Sequence, residues 1–113
     1  MSEFEIGYIM GLIVGEGSFT GDRVQPCLSV TLQLGDRMPL DTLQQHLGGR
    51  VNGPYDKNGS LCYDWKLRGP ELRASIPLFN KYLPPSRKRR QFEAWCEKWF
   101  PYLLKYLNRS HES

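Results

Sequence analysis

The 113-residue sequence contains few of the residues that build metal clusters or disulfide frameworks. Its three cysteines are scattered without a C-x-x-C pair, and there are only two histidines. This composition argues against a disulfide scaffold and a zinc site, and it favours a reducing compartment. The apolar run from Ile6 to Val14 is too short to cross a bilayer, and the acidic start differs from a signal peptide. We therefore expect a soluble intracellular protein without a membrane partner, cytoplasmic in a bacterium or organellar in a eukaryote.

Positive charge is unevenly distributed along the chain. The formal net charge is only +3, which does not by itself require a polyanionic partner. However, five of the fifteen Lys and Arg residues lie between Lys81 and Arg90. Such clustering creates a local positive field even where the net charge is small.

The hydrophobic pattern predicts one α+β domain over residues 1–113, without an internal repeat. The order is α-β-β-α-β-β-α(α), with helices covering a curved, four-stranded antiparallel sheet. Asp36 is predicted to cap the second helix, Pro77 to end the third and Pro101 to break the last, with a frayed tail over 108–113. The predicted elements are a helix over 4–16, a hairpin over 18–34, a helix over 37–47, a hairpin over 50–68, a short helix over 71–76 and a last helix after Ser86.

Three glycines lie on one face of the first helix. Glycine within a helix costs about 1 kcal/mol relative to alanine, so three of them, at positions 7, 11 and 15, need a reason. Small residues allow two helices to approach closely, and the natural partner is the same helix of a second copy. A two-fold axis along this face would bring together the two copies of Glu16, a carboxylate that the helix dipole disfavours unless a divalent cation is bound. The predicted dimer interface consists of Gly7, Met10, Gly11, Val14 and Gly15.

Polar residues alternate with apolar ones along both predicted hairpins. Their side chains are donors and acceptors of the kinds that contact base edges and phosphates, although each alone could equally face solvent. The first hairpin contributes Ser29, Thr31 and Gln33, and the second contributes Arg50, Asn52, Asp64, Lys66 and Arg68.

The basic run from Arg87 to Arg90 opens the last predicted helix. A helix N-terminus surrounded by cations attracts anions. Lys88 lies four residues before Phe92 on the apolar stripe and is therefore expected to point inward, whereas Arg87 and Arg89 are expected to contact a phosphate backbone. A solvated basic turn is the alternative.

The segment Ile9-Met10-Gly11-Leu12-Ile13-Val14-Gly15-Glu16-Gly17 resembles the nine-residue motif of the LAGLIDADG homing endonucleases. Val14 and Gly15 depart from it at variable positions, and Glu stands where Asp is commoner. The predicted element order is similar to the family's core. The segments 47–51 and 77–95 also resemble its later patterns.

This resemblance implies a homodimeric, site-specific double-strand DNA endonuclease that takes part in intron homing and acts on a palindromic or nearly palindromic site. Glu16 falls on the family's metal-binding position, and with the main-chain oxygen of Gly15 it would hold Mg²⁺ or Mn²⁺. Ca²⁺ would occupy the site without supporting cleavage. Lys88 matches a lysine near the scissile phosphate, and Gln33 resembles a polar residue beside the active centre.

Three other interpretations remain open, and one of them is a plain helix-paired dimer that binds no nucleic acid. A domain of this fold could bind DNA or structured RNA without cutting it, as a regulator or an intron maturase. Separately, Asp56, Asp64 and Lys66 follow the spacing of a P-x-D…D-x-K nuclease site. A histidine-based nuclease is poorly supported, and His46 is expected on a helix surface.

Overall fold

The computed structural model describes residues 1–33 and 36–103. The sheet is antiparallel in the order β1-β2-β4-β3, which confirms the predicted fold class. The predicted end of the first hairpin at Leu34 and the frayed tail over 108–113 lie outside the described residues. The elements are α1 (Glu3–Glu16), β1 (Gly17–Gly21), β2 (Pro26–Gln33), α2 (Met38–Leu47), β3 (Arg50–Lys57), β4 (Ser60–Leu67), α3 (Gly69–Tyr82) and α4 (Arg87–Lys98).

The core lies between the helices and one face of the sheet. Leu28 and Val30 of β2 and Trp65 of β4 are fully buried there, because strand alternation directs them to the same side. The helices contribute Ile9, Ile13, Leu40, Leu43, Phe79 and Phe92. The opposite face of the sheet carries the polar residues.

Aromatic residues hold α4 against β1. The ring of Phe19 packs against Phe92 and Trp95, with centroid distances of 5.3 and 5.1 Å. The indole N–H of Trp95 also donates to the main-chain oxygen of Thr20 at 2.7 Å. This packing fixes the middle and the second half of α4 against β1.

The prediction that Pro77 ends the third helix is wrong, because α3 continues through it to Tyr82. Proline removes its own N–H and crowds the carbonyl four residues earlier, but Ile76 and Phe79 on either side are buried and hold the helix in place. The last helix ends at Lys98, before Pro101.

Side chains close the starts of α1, α2 and α4. Ser2 and Glu5 form a capping box on α1, and the Ser86 hydroxyl accepts from the N–H of Arg89 on α4. The carboxylate of Asp36 accepts from the N–H of Met38 at 3.0 Å, although the helix boundary places the cap at Arg37. Among the described residues, none of the helices is long and apolar enough to span a bilayer.

His46 is half-buried rather than on a helix surface as predicted. Its Nε2 lies 2.9 Å from Oε2 of Glu5, which connects the end of α2 to the start of α1. The pKa of Glu5 is lowered first by the backbone N–H of Ser2, then by the Ser2 hydroxyl, and also by the charge of His46. His46 therefore has a structural partner.

Candidate functional site

Glu16 is the last residue of α1 and is exposed. The last turn of this helix contains no basic residue, so its partial negative charge is not compensated from within the helix. None of the ion pairs among the described residues involves Glu16. A carboxylate at the negative end of a helix attracts a cation.

Glu16 also lines a depression of about 550 Å³ beside the sheet. The end of β2 and the tip of the β3–β4 hairpin form the other walls. Glu16 and Gln33, which the sequence predicts at one site, both border this depression. Its other lining residues are Thr31, Leu32, Lys57, Asn58, Ser60 and Cys62.

Lys88 reaches the junction between α1 and β1, where Glu16 lies, from the side of the sheet that the helices cover. It is half-buried, and its Nζ donates to the main-chain oxygen of Gly17 at 2.5 Å. The side chain thus points inward, as its position on the apolar stripe predicts. Because an ammonium has three donors, two remain for other acceptors. The structure therefore places the ammonium group of Lys88 next to Gly17, the residue that follows Glu16.

The neighbouring arginines differ in what they contact. Nη1 of Arg89 donates to the main-chain oxygen of Leu83 at 2.6 Å, and its Nε lies 4.0 Å from Glu93. Arg87 and Arg90 are exposed. Of the two arginines predicted to contact a phosphate backbone, Arg87 is the more accessible, and Arg89 also fixes the chain before α4.

The predicted base-reading residues share one face of the sheet and form two rows across β2, β4 and β3. Residues paired across antiparallel strands point to the same side. The rows are Ser29–Lys66–Arg50 and Thr31–Asp64–Asn52. Within the second row, the amide of Asn52 donates to Asp64 at 3.3 Å.

Arg68 follows β4 at the other end of this face. A side-chain hydrogen bond with Cys27 raises the pKa of Arg68, and the charge of Asp22 contributes in the same direction. The carboxylate of Asp22 in turn accepts from the backbone N–H of Val24 and Gln25, and these bonds lower its pKa. Arg68 therefore lies beside the β1–β2 turn, at a distance from Glu16 along the sheet.

Further residues on this face were not predicted. Ser18 and Thr20 pair with Ser29 and Cys27, and simple alternation along β1 could have found them. Tyr55 and Lys57 reach the face through a register shift in β3, which alternation counted from Asn52 would have missed.

The structure separates the residues of the alternative P-x-D…D-x-K pattern. Asp64 lies on the polar face, but Asp56 pairs with Leu61 on the opposite face. The Asp56 carboxylate accepts the N–H of Gly59 at 3.0 Å and so belongs to the hairpin turn. In the described part of the chain, no group of three or more His, Cys, Asp or Glu residues is arranged to hold a metal ion.

The glycine face of α1 is open in the single chain. A Cβ atom added to Gly7, Gly11 or Gly15 would meet no atom within 4 Å. These glycines line an apolar groove of about 640 Å³ with Ile6, Val14, Tyr82 and Pro84. Of the predicted interface residues, Met10 is 4% exposed and belongs mainly to the chain's own core, whereas Phe4 beside this face is 81% exposed.

Comparison with known proteins gives matches among solved structures. No family model matches, and no curated protein matches. The archaeal intron-encoded homing endonuclease I-Vdi141I, complexed with DNA, is 30% identical over 84% of this chain, with a TM-score of 0.70. The LAGLIDADG meganuclease I-CpaMI, bound to uncleaved DNA, is 21% identical over 96% of this chain, with a TM-score of 0.70. I-SmaMI, bound to an uncleaved DNA target in the presence of calcium ions, is 19% identical over 93%, with a TM-score of 0.66.

This chain is shorter than these proteins. It spans 66% of I-Vdi141I and 38% of each of the other two, which is less than two thirds in every case. At their identities, I-CpaMI and I-SmaMI show the fold alone.

Proposed function

We propose that this chain is a site-specific double-strand DNA endonuclease of the LAGLIDADG homing endonuclease family, whose fold it shares and whose nine-residue motif it resembles. The observation that carries the proposal is the position of Glu16. Its carboxylate is exposed in a depression at the edge of a polar sheet face, with the ammonium of Lys88 next to the following peptide. We take residues 1–113 as one DNA-binding and cleaving domain, and intron homing as its role.

The polar face of the sheet is the proposed DNA-binding surface. Its rows present amides, hydroxyls, a carboxylate and cations in a regular array, and a two-stranded ribbon fits the major groove. I-Vdi141I, which has the same fold, is complexed with DNA. The residues proposed to contact DNA are Ser29, Thr31, Gln33, Arg50, Asn52, Lys66, Arg68, Arg87 and Arg89.

The active unit is proposed to be a homodimer. The open glycine face of α1 allows close approach of the same helix from a second copy, which would place two Glu16 carboxylates near one dyad. A two-fold dimer recognises a palindromic or nearly palindromic site, and each subunit would cut one strand.

The donors available at Glu16 fit half of a divalent-cation site. An exposed carboxylate and the main-chain oxygen of Gly15 are hard oxygen ligands, which Mg²⁺ and Mn²⁺ prefer. The described residues supply a single carboxylate there, and the proposed second one comes from the partner subunit. When bound, such a cation polarises the phosphate and lowers the pKa of water. Ca²⁺ should bind without supporting cleavage.

Lys88 and Gln33 act around this carboxylate. Lys88, positioned by its bond to Gly17, can donate to a phosphate oxygen and stabilise the negative charge that develops there. Gln33 can orient the attacking water through its amide, from the opposite wall of the depression. Burial of the Lys88 stem fixes the ammonium before DNA binds.

Cleavage of a randomised palindromic duplex library tests this function. We expect cut products with Mg²⁺, none with EDTA, and binding that weakens steeply between 50 and 200 mM salt because phosphate contacts release counterions. Binding that does not depend on salt would reject a nucleic-acid function.

A non-cleaving DNA- or RNA-binding domain is the second candidate. The observation that favours it is the glutamate at a position where aspartate is commoner in the family. Under this alternative the sheet face would bind nucleic acid with the same salt dependence, but no products would form with Mg²⁺ or Mn²⁺.

We predict that Lys88→Met lowers the cleavage rate by about a hundredfold, the usual effect of removing one group that stabilises developing charge. DNA affinity should change little, because the side chain lies on the helix side of the sheet. Cleavage rate, affinity and melting temperature are measured together, and Lys88→Arg should restore part of the rate. Equal losses of affinity and rate in Lys88→Met would assign the residue to DNA binding instead.

A further inference from the structure

A β-bulge in β3 changes which side chains face the polar side of the sheet. Asn52 pairs with Asp64 and Tyr55 pairs with Cys62, so two residues of β3 stand opposite one residue of β4. The bulge is formed by Gly53 and Pro54. Gly53 has φ +121°, and a Cβ atom there would lie 2.7 Å from the main-chain oxygen of Cys62.

The bulge shifts the alternation by one residue for the rest of the strand. Counted from Asn52, regular alternation would direct Tyr55 and Lys57 toward the helices. The observed pairing of Tyr55 with Cys62 and of Lys57 with Ser60 directs both side chains to the polar face instead. The bulge therefore adds an aromatic ring and an ammonium to this face.

Lys57 is the residue that the bulge brings to the depression beside Glu16. It lies at the tip of the β3–β4 hairpin and lines the same depression as Glu16 and Gln33. It is exposed, and none of the ion pairs within the described ranges involves it. Its sequence neighbour Asp56 faces the other side of the sheet and accepts a turn N–H. The charge of Lys57 is thus available to an anion that approaches this face.

We propose that Lys57 contacts a DNA phosphate next to the one held at Glu16. This inference rests on the proposed function, since it concerns the same site. Lys88 approaches that site from the helix side of the sheet, and Lys57 approaches it from the hairpin. Lys88 stabilises the phosphate that reacts at Glu16, and Lys57 on the hairpin side can bind the next phosphate of the same strand, which positions the strand relative to Glu16.

The experiment measures binding to a pool of 30-bp duplexes of random sequence without divalent cations, from 50 to 200 mM salt. Each phosphate contact contributes about 0.9 to the slope of log affinity against log salt, so Lys57→Gln should reduce the slope by about one per subunit. Over this fourfold salt range, the wild type should therefore lose about 3.5-fold more affinity per subunit than the variant does. Lys57→Arg should keep the wild-type slope.

Lys98→Gln is the matched control. Lys98 is an exposed lysine on α4 whose Nζ lies 5.8 Å from the ring centroid of Trp99, and it takes no part in the proposed site. Lys98→Gln should leave the salt slope unchanged, although it lowers the net charge by the same amount as Lys57→Gln. If the wild type binds with a steep slope and Lys57→Gln matches it, the role of Lys57 is wrong while the proposed function stands. If the affinity of the wild type does not depend on salt, both the role of Lys57 and the proposed function are rejected.

Discussion

Glu16→Gln should abolish DNA cleavage while DNA binding persists. Glutamine preserves the size of the side chain but removes the charge that a divalent cation requires. Loss of the cation's stabilisation of the transition state, at about 4 kcal/mol, corresponds to about a thousandfold lower rate. Because Glu16 is exposed and has no ion-pair partner among the described residues, the substitution should leave the fold intact.

The wild type and Glu16→Gln are compared on a duplex selected from the randomised palindromic library. Cleavage is measured with Mg²⁺, and binding is measured with Ca²⁺. Glu97→Gln, at an exposed position of α4 outside the proposed site and interface, is a matched control that should cleave normally. Undiminished cleavage by Glu16→Gln would reject the assignment of Glu16. If neither protein cleaves but both bind, the chain is a binding domain.

Gly11→Leu should abolish dimerisation and cleavage while the single chain remains folded. A Cβ atom at position 11 meets no atom within 4 Å in the monomer, and leucine favours helix more than glycine does. In a helix-paired dimer, the two leucines would meet at the dyad. Overpacking of this kind costs about 1–3 kcal/mol for each copy, so dimer affinity should fall about thirtyfold or more.

Sedimentation velocity with and without DNA measures this effect, and circular dichroism reports the fold. Ala74→Leu is the control, since it adds the same side chain at an exposed position of α3. Gly17→Ala should behave differently and destabilise the monomer, because its Cβ would lie 2.6 Å from the main-chain oxygen of Ile13. A dimer that tolerates leucine at position 11 would place the interface elsewhere.

Local patterns were sufficient to predict most of the fold and the centre of the candidate site. The helix that ends at Glu16 and the alternation through Ser29 and Thr31 depend on neighbouring residues alone, so the sequence contains the whole signal. The inward direction of Lys88 follows from its four-residue spacing to Phe92.

The features that were missed depend on contacts between distant segments. Pro77 interrupts a helix only where packing does not hold the turns on either side, and here the core holds them. The side on which Lys57 emerges depends on which residue of β3 is unpaired, and only the register with β4 determines that. His46 has a partner because α1 and α2 happen to meet at Glu5.

The bulge at Gly53 and Pro54 also affects how copies of this chain can associate. β3 is an outer strand, and an outer strand with free N–H and C=O groups can extend a sheet into the next molecule. Proline offers no N–H, and a bulge interrupts the regular spacing of the remaining groups. Strand-to-strand aggregation along β3 is thereby discouraged, which is compatible with the interface proposed on the glycine face of α1.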